Sequence, residues 1–441
     1  MTLPRPNGRA LAAAALVFAA IVAALTLLDR GAGHVSVGPG RDAGGVGAIG
    51  PRATSAQDRV RALEATIASG RATPRAYTEL GDSLVQLNRD TGNGSALPRA
   101  ERAYRTALAR DPRDARAVTG LGTLAANKHQ FARALHYGRE ARRMNPASLA
   151  PYPVMVDALI ELGRYDEAGR TLQRMIDLKP GLASYARASY YRELHGDLNG
   201  AADALRLAVS SGGTAPENVA YVQSLLGHVE FARGDVRAAE EAFRSAMEAV
   251  PSYAPAAEGL SRTESARGRL GSAIELLRDA YDERPIVEYA IALGEAELAA
   301  GRPENAEVHL AEARAIHDRE ERAGMDVAVE RAVFEADHGS PAAALAFGRR
   351  AWKTTPSVRA ADALGWALTR SGRPAEGLVW ARRALKLGSR EPRFLYHAGL
   401  AAKGAGRNGE ARLLLRRSLA LNPRFSPLHA PRARAALDAL R

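Results

Sequence analysis

The sequence predicts an all-α solenoid built from about ten stacked helix pairs. Three observations carry that expectation. One interval recurs: the step from Ala239 to Ala273 equals the steps from Phe243 to Leu277 and from Pro251 to Pro285. Ala, Leu and Arg recur throughout while aromatics are only 5%, a composition that suits helices packed through small side chains. The chain has 441 residues, a length that would suggest two or three globular domains, but a repeat stack grows without one central core.

Taken in chain order, residues 1–9 form a short basic stub with Arg5 and Arg9. An uncharged run follows, Ala10–Leu28, nine of its members Ala, and Asp29 ends it. A helix of that length spans about 28 Å, close to the hydrocarbon thickness of a bilayer. Residues 10–28 therefore read as a transmembrane signal-anchor. Positive charge on the short leading side keeps 1–9 cytoplasmic. The array then lies on the extracytoplasmic side of the cell membrane, held by a single pass. The alternative is a cleaved signal peptide and a secreted protein, although Leu27-Leu28-Asp29-Arg30 offers no clean small-x-small site. Residues 29–54 read as a Gly-rich flexible linker. The linker holds Gly45-Val46-Gly47-Ala48-Ile49-Gly50, which matches G-x-G-x-x-G. No strand precedes it and Pro51 follows it, so no nucleotide fold is expected there.

Residues 55–73, with Val60, Leu63 and Ile67 on one face, read as an N-terminal capping helix. Residues 74–427 hold the repeats, and 428–441 read as the C-terminal cap. Within the array, Leu121-Gly122, Ala134, Ala141 and Pro146 set a pattern. It returns as Leu226-Gly227, Gly234, Ala239, Phe243, Ala246 and Pro251, then as Leu260, Gly268, Ala273, Leu277, Ala280 and Pro285. Ala411, Leu415 and Pro423 repeat it once more. Each residue type has a cause. Small residues sit where two helices cross closely, and a large apolar residue one turn later fills the space beside the crossing. Gly serves the turn, and Pro ends the second helix. The small residues of the second helices are Ala100, Ala134, Ala168, Ala201, Ala239, Ala273, Ala306, Ala344, Gly377 and Ala411. Asn88–Pro98 reads as an insertion between the helices of the first pair. Arg314–Met325 lacks the closing Pro, so the second helix of the seventh pair should run long.

This pattern resembles the tetratricopeptide repeat (TPR), with L-G in the first helix and A-x3-F then Pro in the second. The resemblance covers roughly 80% of the chain. It implies about ten TPR pairs in a right-handed superhelix, with first helices lining a concave groove and second helices forming the convex back. It implies protein binding, not catalysis. Some members of the family clamp peptide carboxylates with Lys and Asn on successive first helices. Thr119, Gly120 and Thr123 in one repeat, and Asp362, Ala363 and Trp366 in another, do not match that clamp.

No enzyme chemistry is expected. Cysteine is absent, which excludes disulfides, thiolate catalysis and Cys-based zinc sites. H-E-x-x-H, G-x-x-x-x-G-K-[ST] and G-x-S-x-G do not occur. The ten His are dispersed, with His129 and His136 seven apart. Adjacent carboxylates such as Glu240-Glu241 and Glu320-Glu321 point in different directions on a helix. No cofactor and no metal is expected.

Two surfaces could meet a partner. The groove of the middle repeats would carry Tyr221, His228, Phe231, Glu258, Glu288, Glu295, Asp326, Glu330 and Asp337, a mixture of aromatic and acidic groups suited to a basic peptide or protein. On the back, the doubled arginines Arg349-Arg350, Arg382-Arg383 and Arg416-Arg417 recur once per repeat, a ladder suited to anionic lipid head groups or another polyanion. Arginine is abundant everywhere, 56 against 5 Lys, which competes with that reading. Charge runs in blocks: +10 over 1–189, −13 over 190–344 and +15 over 345–441, for a net +12. Nucleic acid is the weaker polyanion, because interleaved exposed aromatics are few apart from Trp366 and Tyr396. The function expected is a membrane-tethered scaffold or adaptor mediating protein–protein interactions at the cell envelope. The alternative is a regulator that binds nucleic acid or another polyanion through the basic C-terminal repeats.

Overall fold

The structure, a computed structural model, describes residues 55–91, 94–211 and 215–441. The stub 1–9, the anchor 10–28 and the linker 29–54 with its glycine motif lie outside the described residues. Among the described residues there are 22 helices and no strand, and no helix is long and apolar enough to cross a membrane.

Helices are numbered in chain order. The array opens with α1 (Ala56–Ala68) and closes with α22 (His429–Asp438). Between them the first helices of ten pairs are α2 (Pro74–Thr91), α4 (Ala115–Asn127), α6 (Pro151–Glu161), α8 (Leu182–His195), α10 (Pro216–Ala232), α12 (Ala254–Ala266), α14 (Val287–Ala299), α16 (Ala328–His338), α18 (Val358–Arg370) and α20 (Pro392–Gly404). Their partners are α3 (Ala96–Arg110), α5 (Phe131–Met144), α7 (Tyr165–Leu178), α9 (Leu198–Ser211), α11 (Val236–Ala249), α13 (Leu270–Glu283), α15 (Pro303–Arg322), α17 (Pro341–Thr354), α19 (Pro374–Ala384) and α21 (Asn408–Leu421). The result is an all-α repeat solenoid.

The packing follows from the small-then-large pattern. Ala100, Ala134, Ala168, Ala201, Ala239, Ala273, Ala306, Ala344 and Ala411 are all 0% exposed, and Gly377 is buried. The large residue one turn on fills a slot cleared by glycines of two first helices. Phe243 on α11 stands between Gly227 on α10 and Gly259 on α12, and a Cβ on Gly227 would lie 2.5 Å from its ring. Tyr104 on α3 stands likewise between Gly81 and Gly120.

Two sequence irregularities lengthen helices. Of the insertion expected at Asn88–Pro98, residues 88–91 and 96–98 are helical and 94–95 form a turn. Its first residues extend α2 to 18 residues and Ala96 already opens α3. The second helix without a closing Pro, α15, runs for 20 residues.

The solenoid turns tightly enough for successive turns to touch. Asp326 donates its N–H to Lys128 O at 2.9 Å, and Gln130 donates to Gly324 O at 2.8 Å. Farther along, Asn422 donates to Phe231 O at 2.7 Å and Arg424 to Ala266 O at 2.7 Å. Gly234 adopts φ +84°, and any Cβ there would meet Leu421 O at 2.6 Å, so this contact requires glycine twice over. One apolar core joins Leu159, Ile160 and Tyr165 with Val358, Ala361 and Phe394. All eleven residues of α6 are consequently buried.

Candidate functional site

Where the first helices of the last six pairs curve past one another, they enclose a cavity of about 200 Å³. Helices α10, α12, α14, α16, α18 and α20 line it, and the segment 422–427 closes one side. Of the expected groove residues, His228, Phe231, Glu258, Glu288, Glu295, Glu330 and Asp337 line this cavity. Two do not. Tyr221 is buried in the core beside Val222 and Leu225. Asp326 lies at the seam between turns, where its carboxylate caps Ala328 N and accepts from Arg350.

The groove is not only the mixture of aromatic and acidic groups expected of the middle repeats. Arg262 on α12, Arg359 on α18, Arg393 on α20 and Arg424 beyond α21 add cations to it. Seven carboxylates line the cavity (Glu258, Glu288, Glu295, Glu330, Asp337, Asp362 and Glu391) with four guanidinium groups (Arg262, Arg359, Arg393 and Arg424), an excess of three carboxylates. Sequence reasoning missed these arginines, although a signal existed. Arg359 and Arg393 stand one repeat apart, each the second residue of its helix.

Arg393 is the centre of the densest network. Its Nη2 donates to Asp337 at 2.7 Å and to Glu295 at 3.4 Å. His338 Nε2 lies 3.1 Å from Glu295, and His429 Nε2 lies 3.6 Å from Glu295 and 3.7 Å from Asp337. Burial raises the Glu295 carboxyl, but Arg393, His338 and His429 outweigh it and hold the group well below the usual carboxylate range. Asp337 is lowered in the same way, against its burial, by His429, Arg393 and His397. Glu295, Asp337 and His338 place their ligand atoms within 4.8 Å of one another, the spacing of a metal site. The guanidinium of Arg393 already supplies the cation to both carboxylates, so the set fits an arginine better than an ion.

Several of the other charges are also paired. Arg359 donates to Glu330 at 3.1 Å and lies 3.8 Å from Glu161 on α6. Arg262 donates to Glu258 at 2.6 Å. Asp362 lies 2.9 Å from His397 Nδ1, and the His397 ring stacks on Trp366 at 4.3 Å. Burial pushes His228 down to about 4, so it is neutral at pH 7 although Glu258 lies 3.8 Å away. Two carboxyls differ. Burial raises Glu391, which accepts from the backbone N–H of Arg393. Burial first, then the charges of Glu320 and Glu330, push the Glu288 carboxyl up to about 7, against a hydrogen bond from its own backbone N–H and the nearby His317.

The convex arginines are more engaged than expected, because acidic and aromatic partners are close. Arg350 pairs with Glu321 and lies 3.4 Å from Asp326. Arg382 pairs with Glu410 at 2.6 Å. Arg383 sits over Trp352 and Trp380, 5.0 and 4.9 Å from their ring centroids. Arg349 and Arg416 are exposed and Arg417 half-buried. Trp366 and Tyr396 are 3% and 2% exposed, so neither offers a face for a base to stack on.

The tetratricopeptide repeat family matches the sequence over residues 97–148, 154–216 and 224–286. No curated protein matches it. Among solved structures, the chain is similar to a human IFIT1 dimer with PPP-AAAA, at 16% identity and a TM-score of 0.48, covering 75% of this chain and 78% of that one. It is similar to the APC/C hetero-tetramer Cut9-Hcn1, at 13% identity and a TM-score of 0.38, covering 88% and 90%. It is also similar to PilW, a widely conserved type IV pilus biogenesis factor, at 16% identity and a TM-score of 0.39, covering 46% and 92%. At these identities none of the likenesses extends to a ligand or a partner.

Proposed function

From the premise that this chain is a solenoid carrying tetratricopeptide repeats, we propose that it is a protein-binding scaffold whose partner enters the cavity of the last six pairs. One observation carries the reading. Six successive first helices converge on a single space that combines apolar walls with an excess of three carboxylates. Phe231, Phe334, Phe394 and Phe425 supply anchoring area, and the unmatched negative charge attracts a basic segment. The proposal includes tethering at a membrane of the cell envelope by residues 10–28, supported by the length of that uncharged run. The polyanion reading is not favoured, because Arg350 and Arg382 are held by carboxylates and Arg383 by two tryptophans.

The test is photo-crosslinking in cells that make the full chain. A p-benzoylphenylalanine replaces Phe425 in the cavity, and another replaces Val379, which is 63% exposed on the convex helix α19. The expected result is a discrete protein adduct from position 425 that position 379 does not give, recovered in the membrane fraction. Identical adducts from both positions, or none from 425, would sink the binding reading. Recovery of the full chain in the soluble fraction would sink the tether.

A further inference from the structure

Arg359 stands between the cavity and the seam that joins adjacent turns. It lies on α18 and is 8% exposed. Its Nη2 donates to Glu330 Oε1 in the cavity at 3.1 Å, while its Nη1 lies 3.8 Å from Glu161 Oε2 on α6, beyond bonding range. This arrangement satisfies neither carboxylate. Glu330 Oε2 is buried without a hydrogen bond. Glu161 is buried, and its Oε1 takes only a long 3.3 Å bond from the Tyr190 hydroxyl. Burial raises its carboxyl against the pull of Arg359, and the charge of Glu330 raises it further. His129 is near both carboxylates and His317 is near Glu330, but neither imidazole makes a hydrogen bond to them among the described residues.

The seam begins one residue away. Val358 is the first residue of α18, so its N–H has no acceptor within its own helix. The Ser357 side chain caps Ala360 instead. Val358 N–H is satisfied from the adjacent turn, by the Tyr165 hydroxyl at 2.8 Å. Its protection from solvent exchange therefore reports the seam and not the helix.

One guanidinium thus faces two carboxylates, bonded to the one in the cavity and just short of the one at the seam. We propose that Arg359 couples occupation of the cavity to closure of the turns: a cationic side chain of the partner bonds Glu330 Oε2, loosens the hold of Glu330 on Arg359, and lets the guanidinium move onto Glu161 and draw α18 against α6 and α7. A single N–H donated to one free oxygen is enough to start the shift. Arginine suits the post because its fork carries donors on two arms, which can serve separate carboxylates, whereas the compact ammonium of lysine cannot span both. Coupling of this kind is reciprocal, so a tighter seam raises the affinity of the cavity by the same factor.

The inference rests on the reading of the cavity as a binding site and adds how that site is regulated. The test is hydrogen exchange at the Val358 amide in the purified full chain in detergent, read by mass spectrometry with electron-transfer fragmentation. The amide of Leu172, inside α7, reports global opening. Glu330→Gln imitates a neutralised Glu330 and should slow exchange at Val358 by about fivefold or more while leaving Leu172 unmoved. Acetyl-tetralysine-amide should slow the same amide in the unsubstituted chain and have no effect in Glu330→Gln. Adding Arg359→Lys, which cannot span the two carboxylates, should abolish the effect of Glu330→Gln. Adding Glu161→Gln, which removes the destination, should abolish it too, and serves if the arginine variant does not fold. Exchange at Val358 that is unchanged or faster in Glu330→Gln overturns the relay, as does slowing of Val358 and Leu172 together. An effect that survives Arg359→Lys or Glu161→Gln, or a peptide response that survives Glu330→Gln, overturns it as well. Adducts from position 425 beside an unmoved Val358 overturn the relay alone. A slowed Val358 in Glu330→Gln beside a peptide without effect upholds the relay and overturns the basic-segment reading of the cavity.

Discussion

The hydroxyl oxygen of Tyr165 accepts a 2.8 Å hydrogen bond from the backbone N–H of Val358, joining residues 193 positions apart across adjacent turns of the solenoid. The bond is buried, and it stands beside the core that links α6 and α7 to α18 and α20.

Tyr165→Phe should remove this bond and leave a buried N–H unpaired, at a cost of about 1–3 kcal/mol. Urea denaturation of the purified chain measures it. An unchanged midpoint would mean that the two turns are not held together in solution.

Gly227→Ala should destabilise by about 1–3 kcal/mol, because its Cβ would stand 2.5 Å from the Phe243 ring in a packed interior. Adding Phe243→Leu should recover part of the loss. Thermal unfolding of the single and double variants checks both statements, and additive losses would refute the slot geometry.

Arg393→Met should cost about 3–5 kcal/mol at pH 7, since it strips Glu295 and Asp337 of their shared cation. It should also create a metal site from ligand atoms already within 4.8 Å of one another. Zinc should therefore raise the Tm of the variant and leave the unsubstituted chain unmoved, as differential scanning fluorimetry would report.

The pH dependence of Glu288 has a definite sign. Its folded value of about 7 lies above the ordinary 4.5, so the folded state binds the extra proton between those values. Its contribution to stability is complete below pH 4.5 and is lost as pH rises through 7, with a ceiling of about 3 kcal/mol. Glu288→Gln should flatten that part of the stability–pH curve and raise stability at pH 8. A curve of unchanged slope would contradict the burial that causes the shift.

The helix pairs were legible because each obeys a local rule. A small residue at a crossing and a large one a turn later state the packing within one repeat, and ten buried small positions follow from it. Seven expected groove residues reached one cavity for the same reason, since a residue's place in its own pair decides its face. What the sequence did not disclose depends on curvature. The sequence carries no periodic mark for Asp326 meeting Lys128 or Asn422 meeting Phe231, since such contacts arise from small rotations summed over several pairs. The arginines of α18 and α20 were visible as an echo from one repeat to the next, but only the closed turn puts Arg393 opposite Glu295, 98 residues earlier.

The contacts between turns also change the mechanics of the molecule. An open solenoid behaves as a spring: it lengthens by small strains shared among all repeats, and each end can fray alone. Here the coils are fastened to one another at 128 to 326, 165 to 358 and 231 to 422. A pull on the ends meets those fastenings before the helices, so the chain should resist extension up to a threshold force and then yield abruptly. Closing loops of nearly two hundred residues is also the most entropically demanding step of assembly, which places it last and makes it slow.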